Sequence, residues 1–269
     1  MLDLAPLGKK TVYIETYSPE LLFPVSRNLA RDKLKLDSIP FKGWDKWNGY
    51  EISFLNRKGK PLIALAEFTF PCTTENIVES KSLKLYLNSF NASAFDSLEE
   101  VQEIMEKDIS SAIKGEVSVK LFPLTSLKEK ELRELPGTCI DDLDIEVNEY
   151  SVNPKLLKTS SAEVEETLYS NLLKSNCLAT GQPDWGSLWI HYAGPRIDHE
   201  SLLKYIISFR NHSGFAEHCV ESIFMDLFKE CRPKNLSVYA RYTRRGGLDI
   251  NPFRSNFEDL FINERNIRQ

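Results

Sequence analysis

The sequence predicts an α+β fold in which one module is used twice, each copy an antiparallel sheet with two antiparallel helices packed on one face. Three observations predict it. First, segments 119 residues apart match: Ser82–Phe90 aligns with Ser201–Phe209, sharing Ser, Leu, Tyr, Ser and Phe, and the same offset pairs Val101 with Val220, Ile104 with Ile223, and Ser118-Val119 with Ser237-Val238. Second, each copy runs in the order strands, two helices, strand. Third, none of the 12 glycines in 269 residues are spaced i, i+2. The GxGxxG fingerprint and the GxxxxGK[ST] phosphate loop are therefore absent, and with them the usual marks of a doubly wound nucleotide-binding sheet.

Taken in order, Glu51–Phe54 and Leu62–Phe70 alternate apolar with polar residues and read as strands, as does Ser187–Tyr192 in the second copy. A helix follows over about Ser80–Phe90 and Glu200–Phe209, where Leu83, Tyr86, Leu87 and Phe90 keep the i, i+3, i+4, i+7 spacing of one buried face. The next helices span about Leu98–Ile113 and Glu217–Phe228. Ser97, with Glu100 three residues on, predicts a capping box at the first of them. Closing strands are expected over Val117–Phe122 and Leu236–Tyr242. Between the copies lie a charge run at Lys128–Glu134, a Pro136-Gly137 turn and a polar stretch around Asn153–Ala162 that reads as a loop. The expected modules are 1–150 and 151–269.

The net charge of −5 disfavours direct binding to nucleic acid. No apolar run approaches the length of a membrane span. The N-terminal residues lack the pattern of a signal peptide, and five cysteines without CxxC spacing read as free thiols, so the chain is expected in the cytoplasm. The four histidines have no tight ligand spacing, so no metal site is expected.

Four blocks can carry chemistry. In Ser175–Trp185, Cys177 precedes Asp184 by seven residues with Gly181 and Pro183 between them. A turn there brings a thiol and a carboxylate to one pocket, which suits covalent attack on an electrophilic carbon followed by proton delivery; a buried structural Cys beside a surface Asp is the alternative. Glu79–Tyr86 places Glu79 at a helix start with Lys81 and Lys84 nearby, fit for a phosphate or a polar heterocycle or simply an amphipathic helix. Phe215 and Glu217 in Arg210–Glu217 can stack on and bond to a flat heterocycle, or mark a helix-connecting turn. Tyr242–Ile250 sets paired arginines beside Gly246-Gly247, suited to a phosphate or to an ordinary charged hairpin.

Together these blocks resemble the NADPH-dependent 7-cyano-7-deazaguanine reductase family, the nitrile reductases of queuosine biosynthesis, in their long two-module form. The carrying motifs are Glu79–Tyr86, Leu173–Cys177 with Gln182–Trp185, Ser208–His212 and Tyr242–Gly247. The resemblance spans nearly the whole chain. It implies a tandem of tunnelling folds related to GTP cyclohydrolase I without its zinc, and a homodimer. It further implies that Cys177 attacks the nitrile to give a thioimidate and that Asp184 donates the proton. Val78, Glu79, Ser80, Phe215, Ala216 and Glu217 fall in the substrate-binding segments, and Ser80, Lys81, Arg245 and Gly246 match the cofactor positions for NADPH.

One departure matters: where the family carries His before the substrate-binding Glu, this sequence has Ala216. Loss of an imidazole removes a hydrogen-bond partner and proton-transfer group, so reduced turnover is expected. The rival readings are a zinc-dependent cyclohydrolase on the same fold and a purine- or pterin-binding module without catalysis.

Overall fold

A computed structural model describes residues 13–34, 38–126, 132–178, 180–259 and 263–269. Lys128–Glu131 of the expected charge run lie outside the described residues. The chain divides into two compact units: Met1–Lys33 with Asp45–Lys130 and Arg244–Asp249, and Leu34–Trp44 with Glu131–Thr243 and Ile250–Gln269.

In the first unit, β1 (Pro24–Ser26) and α1 (Asn28–Leu34) precede the long strands β2 (Lys42–Asn56, entering from the other unit) and β3 (Pro61–Pro71). A turn at Arg57–Lys60 joins them. The Asn56 carboxamide oxygen accepts the amides of Lys58 and Lys60, and Gly59 takes φ +77°. Then come β4 (Asn76–Val78), α2 (Ser80–Ser89), β5 (Ala94–Phe95), α3 (Leu98–Ile113) and β6 (Ser118–Pro123). β3 lies between β2 and β6, antiparallel to β6 from Ala64–Pro123 to Thr69–Ser118. Period-two alternation buries Ile52 and Phe54, then Ala64, Ala66, Phe68 and Phe70. The helices cover this face with Leu83, Tyr86 and Leu87, and with the i, i+4 stripe Val101, Met105, Ile109 and Ile113.

The second unit holds β7 (Thr138–Cys139), β8 (Thr159–Asn176), β9 (Pro183–Ile197), α4 (His199–Ser208), α5 (Ala216–Glu230), β10 (Asn235–Tyr242) and β11 (Leu248–Ser255). The strand order is β11-β10-β9-β8-β7, antiparallel except for β7 with β8. Leu135, Trp189, Tyr239 and Phe253 form a buried cluster, with Trp44 and Tyr169 packed against it.

The copies share more than element order. Tyr86 Oη donates to Asp108 at 2.7 Å, pinning α2 to α3, and Tyr205 Oη donates to Asp226 at 2.6 Å, pinning α4 to α5. Ser89 and Ser208 Oγ both donate to the carbonyl three residues back and accept an incoming amide, from Ser18 and Asn153. Ser82 and Ser201 repeat this, accepting from Phe23 and Lys158. Matching bonds at matching offsets are the physical trace of duplication. Burial pushes the Asp226 carboxyl above its ordinary range, opposed by the Tyr205 hydroxyl. Tyr205→Phe leaves that buried carboxylate short of a donor and is expected to cost about 1–3 kcal/mol, measured by chemical denaturation; an unchanged midpoint would remove the latch from the account.

Two sequence expectations are corrected. Ser97 Oγ accepts the Glu100 amide at 3.1 Å as expected, but the Glu100 carboxylate reaches Asp96 N at 2.6 Å, one residue earlier than a capping box requires. The stretch Asn153–Ala162 is not a loop throughout: Pro154–Leu156 is a 3-10 turn capped by Asn153, and β8 begins at Thr159. The first residues of β8 are exposed and polar, so its extended state comes from pairing with β9 and not from an apolar pattern. Among the described residues no helix is long and apolar enough to cross a membrane.

Candidate functional site

The catalytic pair expected from the sequence lies in the second unit, where β8 turns into β9. Ser175 pairs with Asp184 and Asn176 with Pro183, and Cys177 N–H continues the ladder to Gln182 O at 2.8 Å. Gly181, at φ +67°, returns its amide to Cys177 O at 3.0 Å. With period-two alternation, Cys177 and Asp184 fall on one face as diagonal neighbours. Seven-residue spacing thus becomes proximity through a tight antiparallel turn.

The strand end is tied to the start of α5. Asn176 N donates to His212 O at 2.8 Å, and Gly214 N donates to Asn176 O at 3.1 Å. Lys174 Nζ bonds both Asn176 Oδ1 and Arg210 O at 2.6 Å. The Arg210–Gly214 block is therefore a bracket that ties the start of α5, with Phe215, Ala216 and Glu217, to the end of β8. Phe215 is the N-cap of α5 without a side-chain capping bond, and it stands edge-on to His218 at 5.5 Å. Phe215 and Ala216 are half-buried, while Glu217, in the first turn, is buried.

Burial divides the cysteines into two groups: Cys72, Cys219 and Cys231 are buried, whereas Cys139 and Cys177 are half-buried. Burial pushes the Cys219 thiol up to about 12, with the Asp184 and Glu217 carboxylates pushing further against the hydroxyls of Ser175 and Tyr242 that face it. Cys231 is likewise pushed to about 12 by burial, and burial also raises Cys139. A thiol held protonated is a poor nucleophile, which counts against Cys139, Cys219 and Cys231.

In the first unit, Glu79 is the N-cap of α2. Its carboxylate accepts Lys81 N at 2.7 Å and Ser82 N at 2.9 Å, and it is fully buried. Burial raises its pKa, opposed by those two amides and by the charges of Lys84 and Lys81. Sequence reasoning assigned Glu79 a ligand; its first task is capping, and each oxygen keeps a second lone pair. Val78 is buried in β4 and Ser80 half-buried at the first position of α2.

A cavity of about 460 Å³ in this unit is lined by Lys81, Lys84, Asn88, Glu51, Gly246 and Gly247, among others. Arg245 and Leu248 close a two-residue turn by mutual backbone bonds of 2.8 and 3.2 Å, with Gly246 at φ +57° and Gly247 at +80°. A Cβ at Gly246 would stand 3.2 Å from Lys84 Cδ, so bare backbone is what lets the turn meet the lysines. Lys81 and Gly246 line this cavity, whereas Ser80 and Arg245 flank it in sequence. Arg244, the first of the paired arginines, lies over the Tyr50 ring at 4.5 Å and braces the turn. Two ammonium groups beside bare backbone suit an anionic ligand such as a nucleotide phosphate. Among the described residues no group of three or more His, Cys, Asp or Glu forms a metal cluster.

Comparison with known proteins gives the class first. Residues 13–121 match the family described as "Nitrile reductase, 7-cyano-7-deazaguanine-reductase N-term", and residues 183–259 match "QueF-like protein". The class is that of the nitrile reductases. The chain is 53% identical to the NADPH-dependent 7-cyano-7-deazaguanine reductase of Azoarcus sp. (strain BH72), over 97% of this chain and 94% of the relative. It is 55% identical to the protein of that name from Paraburkholderia phymatum (95% and 94%) and 53% identical to that from Desulfotalea psychrophila (98% and 97%). The chain belongs to the NADPH-dependent 7-cyano-7-deazaguanine reductase family. Among solved structures, the apo archaeosine synthase QueF-Like is 16% identical with a TM-score of 0.31, covering 38% of this chain and 99% of that one.

Proposed function

We propose that this chain reduces the nitrile of 7-cyano-7-deazaguanine to the primary amine of 7-aminomethyl-7-deazaguanine with NADPH, on the free base, as a cytoplasmic homodimer in queuosine biosynthesis. The observation that carries the reading is the half-exposed Cys177 thiol held on one sheet face with Asp184. In this reading the sulfur bonds to the nitrile carbon as one π bond of C≡N breaks. Asp184 delivers a proton to the nitrogen and takes the proton the thiol gives up, leaving a thioimidate on Cys177. NADPH, when bound, would supply hydride; two hydrides with two protons taken up from solvent would bring the carbon to the amine level as the C–S bond breaks and Cys177 returns to the thiol.

Glu217, in the first turn of α5, and Phe215 beside it are assigned to the deazaguanine ring, by hydrogen bonding and stacking. Val78, Glu79 and Ser80 are assigned to the same ligand from the first module. Lys81 and Gly246, with Ser80 and Arg245, are assigned to NADPH, and the lysine-lined cavity supports this. Lys81→Ala is expected to raise the KM for NADPH roughly 10–100-fold with kcat little changed. Equal KM values would move the cofactor elsewhere. The proposal as a whole is tested by nitrile-dependent NADPH oxidation with the amine as product; no oxidation on adding the nitrile would overturn it.

A further inference from the structure

β8 and β9 do not keep one register. From Thr167–His191 to Ser170–Leu188 the pairs follow one alignment; from Leu173–Gly186 to Asn176–Pro183 they follow another, one residue displaced. Asn171 and Leu172 stand opposite the single residue Ser187, which is a β-bulge. Its consequence lies at the turn. Without the extra residue Asp184 would oppose Lys174, and the Cys177 side of β8 would face away from it. With the bulge Asp184 opposes Ser175, and Cys177 shares its face. A one-residue slip exchanges the two faces of a strand.

The bulge is held from two sides. Asp141 accepts Asn171 N at 2.9 Å and Ser170 Oγ at 2.6 Å. Arg268 Nη1 donates to Asn171 O at 2.8 Å and reaches Gly186 O and Ser187 Oγ at 3.5 Å. Ser187 Oγ in turn donates to Asn171 Oδ1 at 2.7 Å. Arg268 is itself fixed by its neighbours. Its amide donates to Asn266 Oδ1 at 2.9 Å. The Gln269 carboxamide is buried, donates to Tyr242 O at 3.0 Å and Asn251 Oδ1 at 2.8 Å, and accepts from Arg241 Nε and, at 3.4 Å, Asn266 N. A carboxamide with both ends saturated in the interior anchors the segment against β10 and β11.

We infer that Arg268 is a positioning residue for nitrile reduction: it holds the Asn171–Leu172 bulge, and the bulge sets the register that puts Cys177 and Asp184 on one face. It touches no reacting atom. The inference rests on the proposed function for the chemistry and on the register alone for the geometry.

The test compares Arg268→Ala and Arg268→Lys in the full chain by amide hydrogen exchange and steady-state kinetics. In Arg268→Ala, exchange over 171–176 and 183–187 is expected to speed at least about tenfold with α4 and α5 unchanged. kcat is expected to fall about tenfold or more with KM within threefold, because a misplaced pair slows chemistry more than binding. Arg268→Lys keeps one donor and is expected to recover part of both. Wild-type exchange in Arg268→Ala overturns the inference, as does a fall in kcat without local exchange or faster exchange without a fall in kcat. An inactive wild-type chain would fail the proposed function instead, and the exchange data would still decide whether Arg268 holds the bulge.

Discussion

Cys177→Ala abolishes covalent capture of 7-cyano-7-deazaguanine and lowers nitrile-dependent NADPH oxidation by about 10³-fold or more. The expectation follows from the thiol inventory. Cys219 and Cys231, each pushed up to about 12 by burial, remain protonated at neutral pH, and Cys72 is sealed in the first unit. No buried thiol can stand in for the one at the turn. Because the Cys177 backbone is held by its bonds to Gln182 and Gly181, loss of the sulfur should leave the turn intact. Intact-protein mass spectrometry after incubation with the nitrile is the measurement. An adduct on the native chain that vanishes in the variant is expected; an adduct that persists in Cys177→Ala would place the nucleophile on another residue. Ligand affinity in the variant should change little, which separates loss of chemistry from loss of binding.

Ala216→His should raise kcat by roughly 10²–10⁴-fold, the usual scale of an acid–base contribution. Position 216 opens α5, half-buried between Phe215 and the buried Glu217. An imidazole at that point would supply a second proton carrier, on the helix bracketed to Asn176 by His212 and Gly214. The rate of NADPH oxidation under saturating nitrile is the readout. No gain would mean that the proton traffic is carried without this position, and that Ala216 costs the enzyme nothing.

Much of this was legible in the residues. The repeat, both helix pairs and the turn between Cys177 and Asp184 follow from apolar spacing, capping residues and Gly/Pro punctuation, which are local. The start of β8 was not: Thr159–Thr167 are mostly exposed and polar, and only pairing with β9 makes them a strand. The register shift at Asn171 has no signature in sequence, since nothing in the residues themselves says that two will face one. Glu79 is legible at a helix start, but that its own carboxylate caps the helix required the fold. Gly246-Gly247 reads as a place for close approach to a phosphate or as a charged hairpin, but that Lys84 packs against Gly246 required the fold.

The hairpin turns of the two units carry a consequence for stoichiometry. The first runs over Arg57–Lys60 and the second holds Cys177, and the offset of 119 sets Lys58 where Cys177 stands. The first turn is basic and bears no sulfur, although the Tyr86–Asp108 and Tyr205–Asp226 latches are intact in both copies. On the proposed function, doubling the scaffold therefore did not double the reactive centres. Titrated to saturation, each chain should take up one equivalent of nitrile and not two. The first copy, relieved of nucleophilic duty, is free to diverge at its tip.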